Sequence, residues 1–464
     1  MAISLFNEER AYSLNHIRSK PFKGGYLVTT DYGSWAYLTQ DEFELLKKEK
    51  LKENSELFSM LKDKGIVLTG ENINRVVEDY RNRMSYLFQG TSLHIVVVTL
   101  RCNHKCVYCH SAVKGEHAQG YDMDEETARK TADFIFQSPS KAIAIEFQGG
   151  EPLLNFPIIK FIIMYAREKN LKHRKNLAFR LVTNLTLMTD EILNYLIKER
   201  VEISSSLDGP AVVHNENRKY VKSNGSHEEV VSWIDNIQKR YNVNVMSVVT
   251  KHSLPYAKEI IDEFRKHNLR TIFLKYVNPV GFGKSRYNDI APSATEFLEF
   301  WKKSVDYLLS LDDGPREIMT VIILKKILSK QDAFYTDLQG PCCGAAIGQI
   351  CYNHNGNIFT CDEAKIYDVF RIGTVEQTYK EVVTSRQACA LLEASMNDHP
   401  FLDKEVYKPY LGLCPVVNYA KTGSVITRFP NDRIAMFSGV LDYIFEKLLF
   451  DPKAREKLLR WANF

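Results

Sequence analysis

Leu93-His-Ile-Val-Val-Val-Thr99 is an apolar, β-branched run, and Cys102-Asn-His-Lys-Cys106-Val-Tyr-Cys109 follows it almost at once. A short apolar run without alternation reads as a strand covered on both faces, the pattern of a parallel sheet. Five further runs share this character, at residues 142–147, 178–183, 201–207, 243–249 and 271–277. Helical patterns lie between most of them. Thr189, then Asp190 and Glu191, then Ile192, Leu193, Leu196 and Ile197 read as a capped amphipathic helix. Ser226 and Glu229 make a capping-box pattern ahead of Val230, Trp233, Ile234 and Ile237. Ala257, Ile260, Ile261 and Phe264 repeat the helical spacing. Six strands alternating with helices predict an α/β fold of right-handed parallel units, a covered sheet or partial barrel. Ligands of such folds sit at the C-terminal strand ends.

The rest of the chain divides around this block. Its 464 residues suit two to three domains, and a 45% hydrophobic, 25% charged composition is that of a globular protein. The net charge of +4 is too small for a general nucleic-acid or membrane-surface binder. No apolar run approaches the roughly 18 residues of a membrane span. Asn7, Glu8 and Glu9 stand where a signal peptide would be apolar, so a cytoplasmic protein is expected. Residues 1–72 read as a small α+β unit: a strand-like hairpin over 24–39, then helical patterns at 40–48 and 55–64 closed by Gly65. This unit is either a winged-helix-like peptide-recognition module or a cap on the next domain. Residues 73–91 read as a helical connector and 92–290 as the barrel. Residues 291–339 form a helical linker, with Phe297, Trp301, Val305 and Leu308 on one stripe. Residues 340–464 read as an irregular, cysteine-rich domain holding six of the nine cysteines.

Three cysteines in eight residues, on a loop at a strand's C-terminal end, point to metal chemistry rather than a core. Asn103, His104 and Lys105 between them are too polar for core cysteines. Structural zinc wants four closed ligands. Three thiolates without a local fourth suit a four-iron four-sulfur cluster with one open iron, so both readings stand at this point.

The spacing C-x₃-C-x-aromatic-C, with Tyr108 in the aromatic place, resembles the signature of radical S-adenosylmethionine (SAM) enzymes. The resemblance continues in Gln148-Gly149-Gly150-Glu151-Pro152 after the second strand and Thr183-Asn184 after the third. Ser206-Leu207-Asp208-Gly209-Pro210 follows the fourth, then His214 and Arg218. It implies a partial (β/α)6 radical SAM barrel in which Cys102, Cys106 and Cys109 hold the cluster. Tyr108, Gly149, Gly150, Glu151, Asn184, Ser206, Asp208 and Arg218 would then bind S-adenosyl-L-methionine, with Glu151 on its amine and Arg218 on its carboxylate. Such enzymes generate a 5′-deoxyadenosyl radical.

The C-terminal segment resembles a partly degenerate SPASM extension, an auxiliary-cluster domain of peptide-modifying members. Cys343, Gly356 and Cys361 match its opening, whereas Leu402, Glu405 and Leu411 stand where further ligands would be and Cys414 remains. This implies at most one auxiliary 4Fe-4S cluster, held by Cys343, Cys361 and Cys414 with Cys342 or Cys351. Cys389 reads as a buried core thiol. Asp362, after Cys361, matches an acidic position proposed as a base in sulfatase maturases; it equally reads as a turn carboxylate.

Within these maturases the chain is most similar to the His-Xaa-Ser system radical SAM maturase, B component. The similarity rests on Pro21-Phe-Lys-Gly-Gly-Tyr26, Gly344-Ala-Ala-Ile-Gly-Gln349 and Cys414-Pro-Val-Val-Asn-Tyr419. It implies modification of a ribosomally made precursor peptide, alongside a second radical SAM subunit and a flavodoxin- or ferredoxin-type electron donor. The alternatives are sulfatase-type Ser/Cys oxidation and a non-catalytic peptide-binding subunit.

Overall fold

The computed structural model describes residues 12–221, 223, 225–329, 343–396 and 399–463. Near the N-terminus, β1 (Ile17–Phe22), β2 (Gly25–Thr30) and β3 (Trp35–Leu38) form an antiparallel sheet. Helices Gln40–Lys47 and Glu56–Asp63 cover it, and Gly65 follows the second with φ +66°. Helix Ile73–Met84 leads from here to the main sheet.

Six parallel strands carry the barrel: β4 (Leu93–Thr99), β5 (Ala142–Gly149), β6 (Asn176–Val182), β7 (Val201–Ser206), β8 (Val243–Val249) and β9 (Thr271–Tyr276). They neighbour one another in chain order, as right-handed βα units require. Alternate residues of β5, Ile143, Ile145 and Phe147, are buried beneath the covering helices, and Glu146 and Gln148 take the opposite face. Thr189 caps helix Asp190–Lys198 through the Ile192 amide at 3.2 Å. The capping box expected at Ser226 does not form. Its hydroxyl lies 3.1 Å from His214 Nε2, and helix His227–Gln238 begins without a side-chain cap. The His214 ring is wholly buried, and pairing with it takes the Ser226 hydroxyl away from the helix start.

The same sheet extends past β4. Strand β10 (Gln349–Tyr352) pairs with β4 in parallel, and β11 (Asn357–Phe359) and β12 (Arg371–Thr374) follow antiparallel. The cysteine-rich region therefore continues the barrel sheet by backbone pairing. Its end is also more regular than expected. Asn431 caps helix Asp432–Phe450 and Asp451 caps helix Pro452–Ala462, and their buried faces join the main core. Cys389 is exposed, not buried: its helix, Arg386–Ser395, turns Ala388 and Leu391 inward, and the residue after Ala388 points away.

Candidate functional site

The loop after β4 is fastened from both sides. Its segment His104–Cys106 pairs antiparallel with Arg218–Tyr220, Cys106 opposite Arg218. Asn103 Oδ1 accepts from Asn184 Nδ2 at 2.8 Å, and Asn103 Nδ2 donates to Thr186 Oγ1 at 2.8 Å. Tyr220 stacks on the His104 ring at 4.8 Å. Burial, then the neighbouring thiols, raises the Cys102 pKa. Burial also pushes Cys106 up to about 12, with Arg218 opposing and Cys109 adding to the rise. The three thiols thus lie within electrostatic reach of one another. Among the described residues, no three His, Cys, Asp or Glu side chains converge as one metal ion requires.

Close packing at the end of β5 explains its two glycines. Gly149 has φ +142°, and a Cβ there would stand 2.0 Å from the Thr99 carbonyl oxygen. A Cβ on Gly150 would stand 2.0 Å from the Arg101 carbonyl oxygen. Both strand ends meet backbone to backbone beneath the cysteine loop. Glu151 is wholly buried and accepts from Thr183 Oγ1 and the Asn184 amide at 2.7 Å, and from the Leu153 amide at 3.1 Å. Burial nevertheless lifts its pKa to about 7. Of about four acceptor positions on a carboxylate, one on Oε2 carries no donor among the described residues. Asn184 is committed to the loop: its side chain meets Asn103 and His104 and accepts from Thr186.

At the end of β7, Asp208 organises the third wall. Its carboxylate receives Arg218 Nε at 3.2 Å, Tyr108 Oη at 2.6 Å and the Val248 amide at 3.0 Å. The Arg218 guanidinium lies over the Tyr108 ring, 5.4 Å from its centre. The Asp208 oxygens are taken up by these three donors, so Asp208 orients Arg218 rather than contacting a ligand directly. Ser206 is half-buried at the strand end.

In the C-terminal region Cys343, Cys351, Cys361 and Cys414 share one buried cluster. Burial raises the Cys361 pKa, and Asp362, Cys343 and Cys414 add to the rise. The charged groups acting on Cys351 are instead Lys365, Asp362 and Glu146, and burial pushes it up to about 12. Cys343, Cys361 and Cys414 thus lie within electrostatic reach of one another, Cys351 shares their buried cluster, and Cys342 lies outside the described residues. Leu402 and Leu411 are buried in the main core with Val406 and Tyr407, an apolar environment without thiols.

Asp362 stands between the two cysteine groups. His110 Nε2 lies 3.5 Å from its Oδ2, within ion-pair range but without hydrogen-bond alignment. Burial would raise the Asp362 pKa, but His110, Lys365 and Lys275 hold it well below the usual carboxylate range. Sequence reasoning overlooked His110 and Glu146. His110 directly follows Cys109, and Glu146, which receives Gln148 Nε2 at 2.5 Å, shares a strand face with that residue. Period-two alternation would have revealed the second.

Residues 96–264 match the Radical SAM superfamily. The cysteine-type anaerobic sulfatase-maturating enzyme of Clostridium perfringens (strain ATCC 13124) is 26% identical over 330 residues, 66% of this chain and 84% of that protein. The radical SAM cyclopropyl synthase TigE of Paramaledivibacter caminithermalis is 25% identical over 370 residues, 74% and 71% of the two chains. The structure of anSMEcpe with bound AdoMet and Cp18Cys peptide superposes with a TM-score of 0.68 at 21% identity, covering 80% of this chain and 99% of the other. Streptococcus suis SuiB bound to precursor peptide SuiA gives 0.54 at 14% identity, with 91% and 99% covered. Residues 96–264, which carry the family match, also hold most of the ordered parallel strands and the three-cysteine loop.

Proposed function

We propose that this chain is a radical SAM enzyme that modifies a ribosomally synthesised precursor peptide of the His-Xaa-Ser type. The observation that carries the reading is Arg218, pinned by Asp208 and Tyr108 in register with Cys106. In this reading Cys102, Cys106 and Cys109 would hold a four-iron cluster, whose cationic irons displace the thiol protons. Bound together, the cluster and S-adenosylmethionine supply a 5′-deoxyadenosyl radical for hydrogen abstraction. Arg218 binds the cofactor carboxylate, Glu151 offers its open Oε2 position to the amine, and Gly149 and Gly150 allow close backbone approach. Asp208 and Asn184 act as positioning residues. Cys343, Cys361 and Cys414, with Cys342 or Cys351, form the auxiliary site, and Asp362 accepts a proton from substrate. A second radical SAM subunit, a flavodoxin- or ferredoxin-type donor and a cytoplasmic setting complete the proposal. Among the described residues no helix is long and apolar enough to cross a membrane.

Sulfatase-type Ser/Cys oxidation is the second reading. It is favoured by the sulfatase-maturating relatives and by Asp362 beside Cys361. Incubating the reduced, reconstituted protein with a His-Xaa-Ser peptide and with a sulfatase-derived Cys peptide separates the two. The proposal expects a mass change in the first only, and a change confined to the second would overturn it.

A further inference from the structure

Outside the barrel, a cavity of about 260 Å³ opens between the end of β9 and helices Ala294–Ser310, Pro415–Thr422 and Asp432–Phe450. Its size, below the usual 300–1,000 Å³ of small-molecule pockets, suits one amino-acid side chain and little more. Its walls combine aromatic surface with cationic side chains. Tyr276, Tyr287 and Phe297 supply rings; Lys251, Lys421 and Arg433 supply positive charge. Of the two carboxylates at the rim, Glu296 accepts from the Ser293 amide at 2.8 Å as a helix cap, and Asp432 is largely exposed, 4.0 Å from Lys421. The Arg433 guanidinium lies over two rings, 5.0 Å from the centre of Tyr276 and 5.4 Å from that of Phe437. Stacking of this kind fixes its plane, and a fixed guanidinium suits a carboxylate. Tyr276 Oη is buried and has no hydrogen-bond partner among the described residues. Such a hydroxyl calls for an acceptor.

The cavity also has a defined relation to the candidate site. Val277 and Ala291, two of its wall residues, pack in one cluster with Val107, which lies between Cys106 and Cys109. The cavity wall and the cysteine loop thus share one apolar cluster.

We propose that this cavity anchors an acidic side chain, Asp or Glu, of the peptide substrate, outside the barrel and away from the reacting residue. The proposal rests on the peptide-modifying reading and adds the chemistry of a second recognition point. A carboxylate would lie between Arg433, Lys421 and the Tyr276 hydroxyl, with its methylenes on Val417 and Met436.

The test uses the full-length, reconstituted protein and isothermal titration with N-acetyl-glutamate methylamide, with N-acetyl-glutamine methylamide as the uncharged control. Wild type should bind the glutamate probe at least tenfold more tightly. Tyr276→Phe, which removes one hydroxyl, should reduce that preference several-fold, and Lys421→Glu should abolish it. Equal affinity for the two probes, or a preference untouched by both substitutions, overturns the anchor. Cofactor cleavage measured on the same preparation keeps the two ideas apart. Cleavage without a carboxylate preference defeats the anchor alone. A preference sensitive to both substitutions, without cleavage, supports the carboxylate pocket and defeats the enzymatic reading.

Discussion

Arg218 and Asp208 form a buried ion pair, Nε to Oδ2 at 3.2 Å, and the same oxygen receives the Tyr108 hydroxyl at 2.6 Å. One carboxylate therefore ties the aromatic residue of the cysteine loop to the arginine assigned to the cofactor. Removing one partner of a buried pair leaves an uncompensated charge and costs about 3–5 kcal/mol. Asp208→Ala should lower the unfolding free energy by about that amount and weaken S-adenosylmethionine binding. Tyr108→Phe should cost only about 1 kcal/mol. Urea unfolding and equilibrium dialysis check both, and an Asp208→Ala variant as stable as wild type contradicts the assignment.

Glu151 links stability to pH. Its folded pKa, about 7, lies above the ordinary 4.5 because burial disfavours its charge. A raised folded pKa contributes stability that is present below about 4.5 and is lost as pH rises through about 7. For the metal-free protein the loss is about 3 kcal/mol. Glu151→Gln should remove this component of the pH dependence between pH 5 and 8, read as the difference from wild type in urea midpoints. In reconstituted protein the same substitution should weaken cofactor affinity roughly ten- to hundredfold, since a charge-assisted hydrogen bond is lost.

Leucines in place of ligands limit the iron content. Leu402 and Leu411 are buried at 1% and 2% exposure, and a thiol-free apolar pocket holds iron–sulfur clusters poorly. Reconstituted protein should carry about four or about eight irons per chain, with eight favoured because Cys343, Cys351, Cys361 and Cys414 share one buried cluster. Cys361→Ala should then reduce eight to four without stopping cofactor cleavage. Mössbauer-quantified iron near twelve contradicts this.

The segment around those leucines is held by the N-terminal sheet. Thr29 Oγ1 donates to the Val406 carbonyl at 2.6 Å, Tyr410 Oη to the Gly33 carbonyl at 2.9 Å, and Arg18 Nε to the Asp403 carbonyl at 2.8 Å. Thr29→Val leaves a buried carbonyl unsatisfied, at a cost of about 1–3 kcal/mol. The loosened segment should make Cys414 react faster with a thiol reagent while Cys102 is unchanged. Equal rates in variant and wild type would show that the contact does not support that corner.

What was legible in the sequence was what local chemistry decides. The run Leu93–Thr99 became a strand over those same residues because apolar β-branched side chains suit a doubly covered sheet. Thr189 capped its helix because its hydroxyl has no competing partner. Ser226 failed as a cap because His214, twelve positions away in the chain, claims its hydroxyl. The pairing of β10 with β4 was equally hidden, since strand order depends on contacts between distant segments. The helices Asp432–Phe450 and Pro452–Ala462 do have readable signals, with Asn431 and Asp451 as caps. At the candidate site the cysteines and glycines were visible as motifs. The pairing of His110 with Asp362 was not, because it joins residues 252 positions apart.

The central claim is that Cys102, Cys106 and Cys109 support cofactor cleavage. The direct measurement is 5′-deoxyadenosine formed by anaerobically reconstituted, dithionite-reduced protein, quantified beside Cys106→Ala and in the presence of a His-Xaa-Ser peptide. Wild type should form multiple equivalents of 5′-deoxyadenosine per chain, and the variant none above background. Wild-type-like product from Cys106→Ala, or none from wild type with a full complement of iron and peptide present, would contradict it.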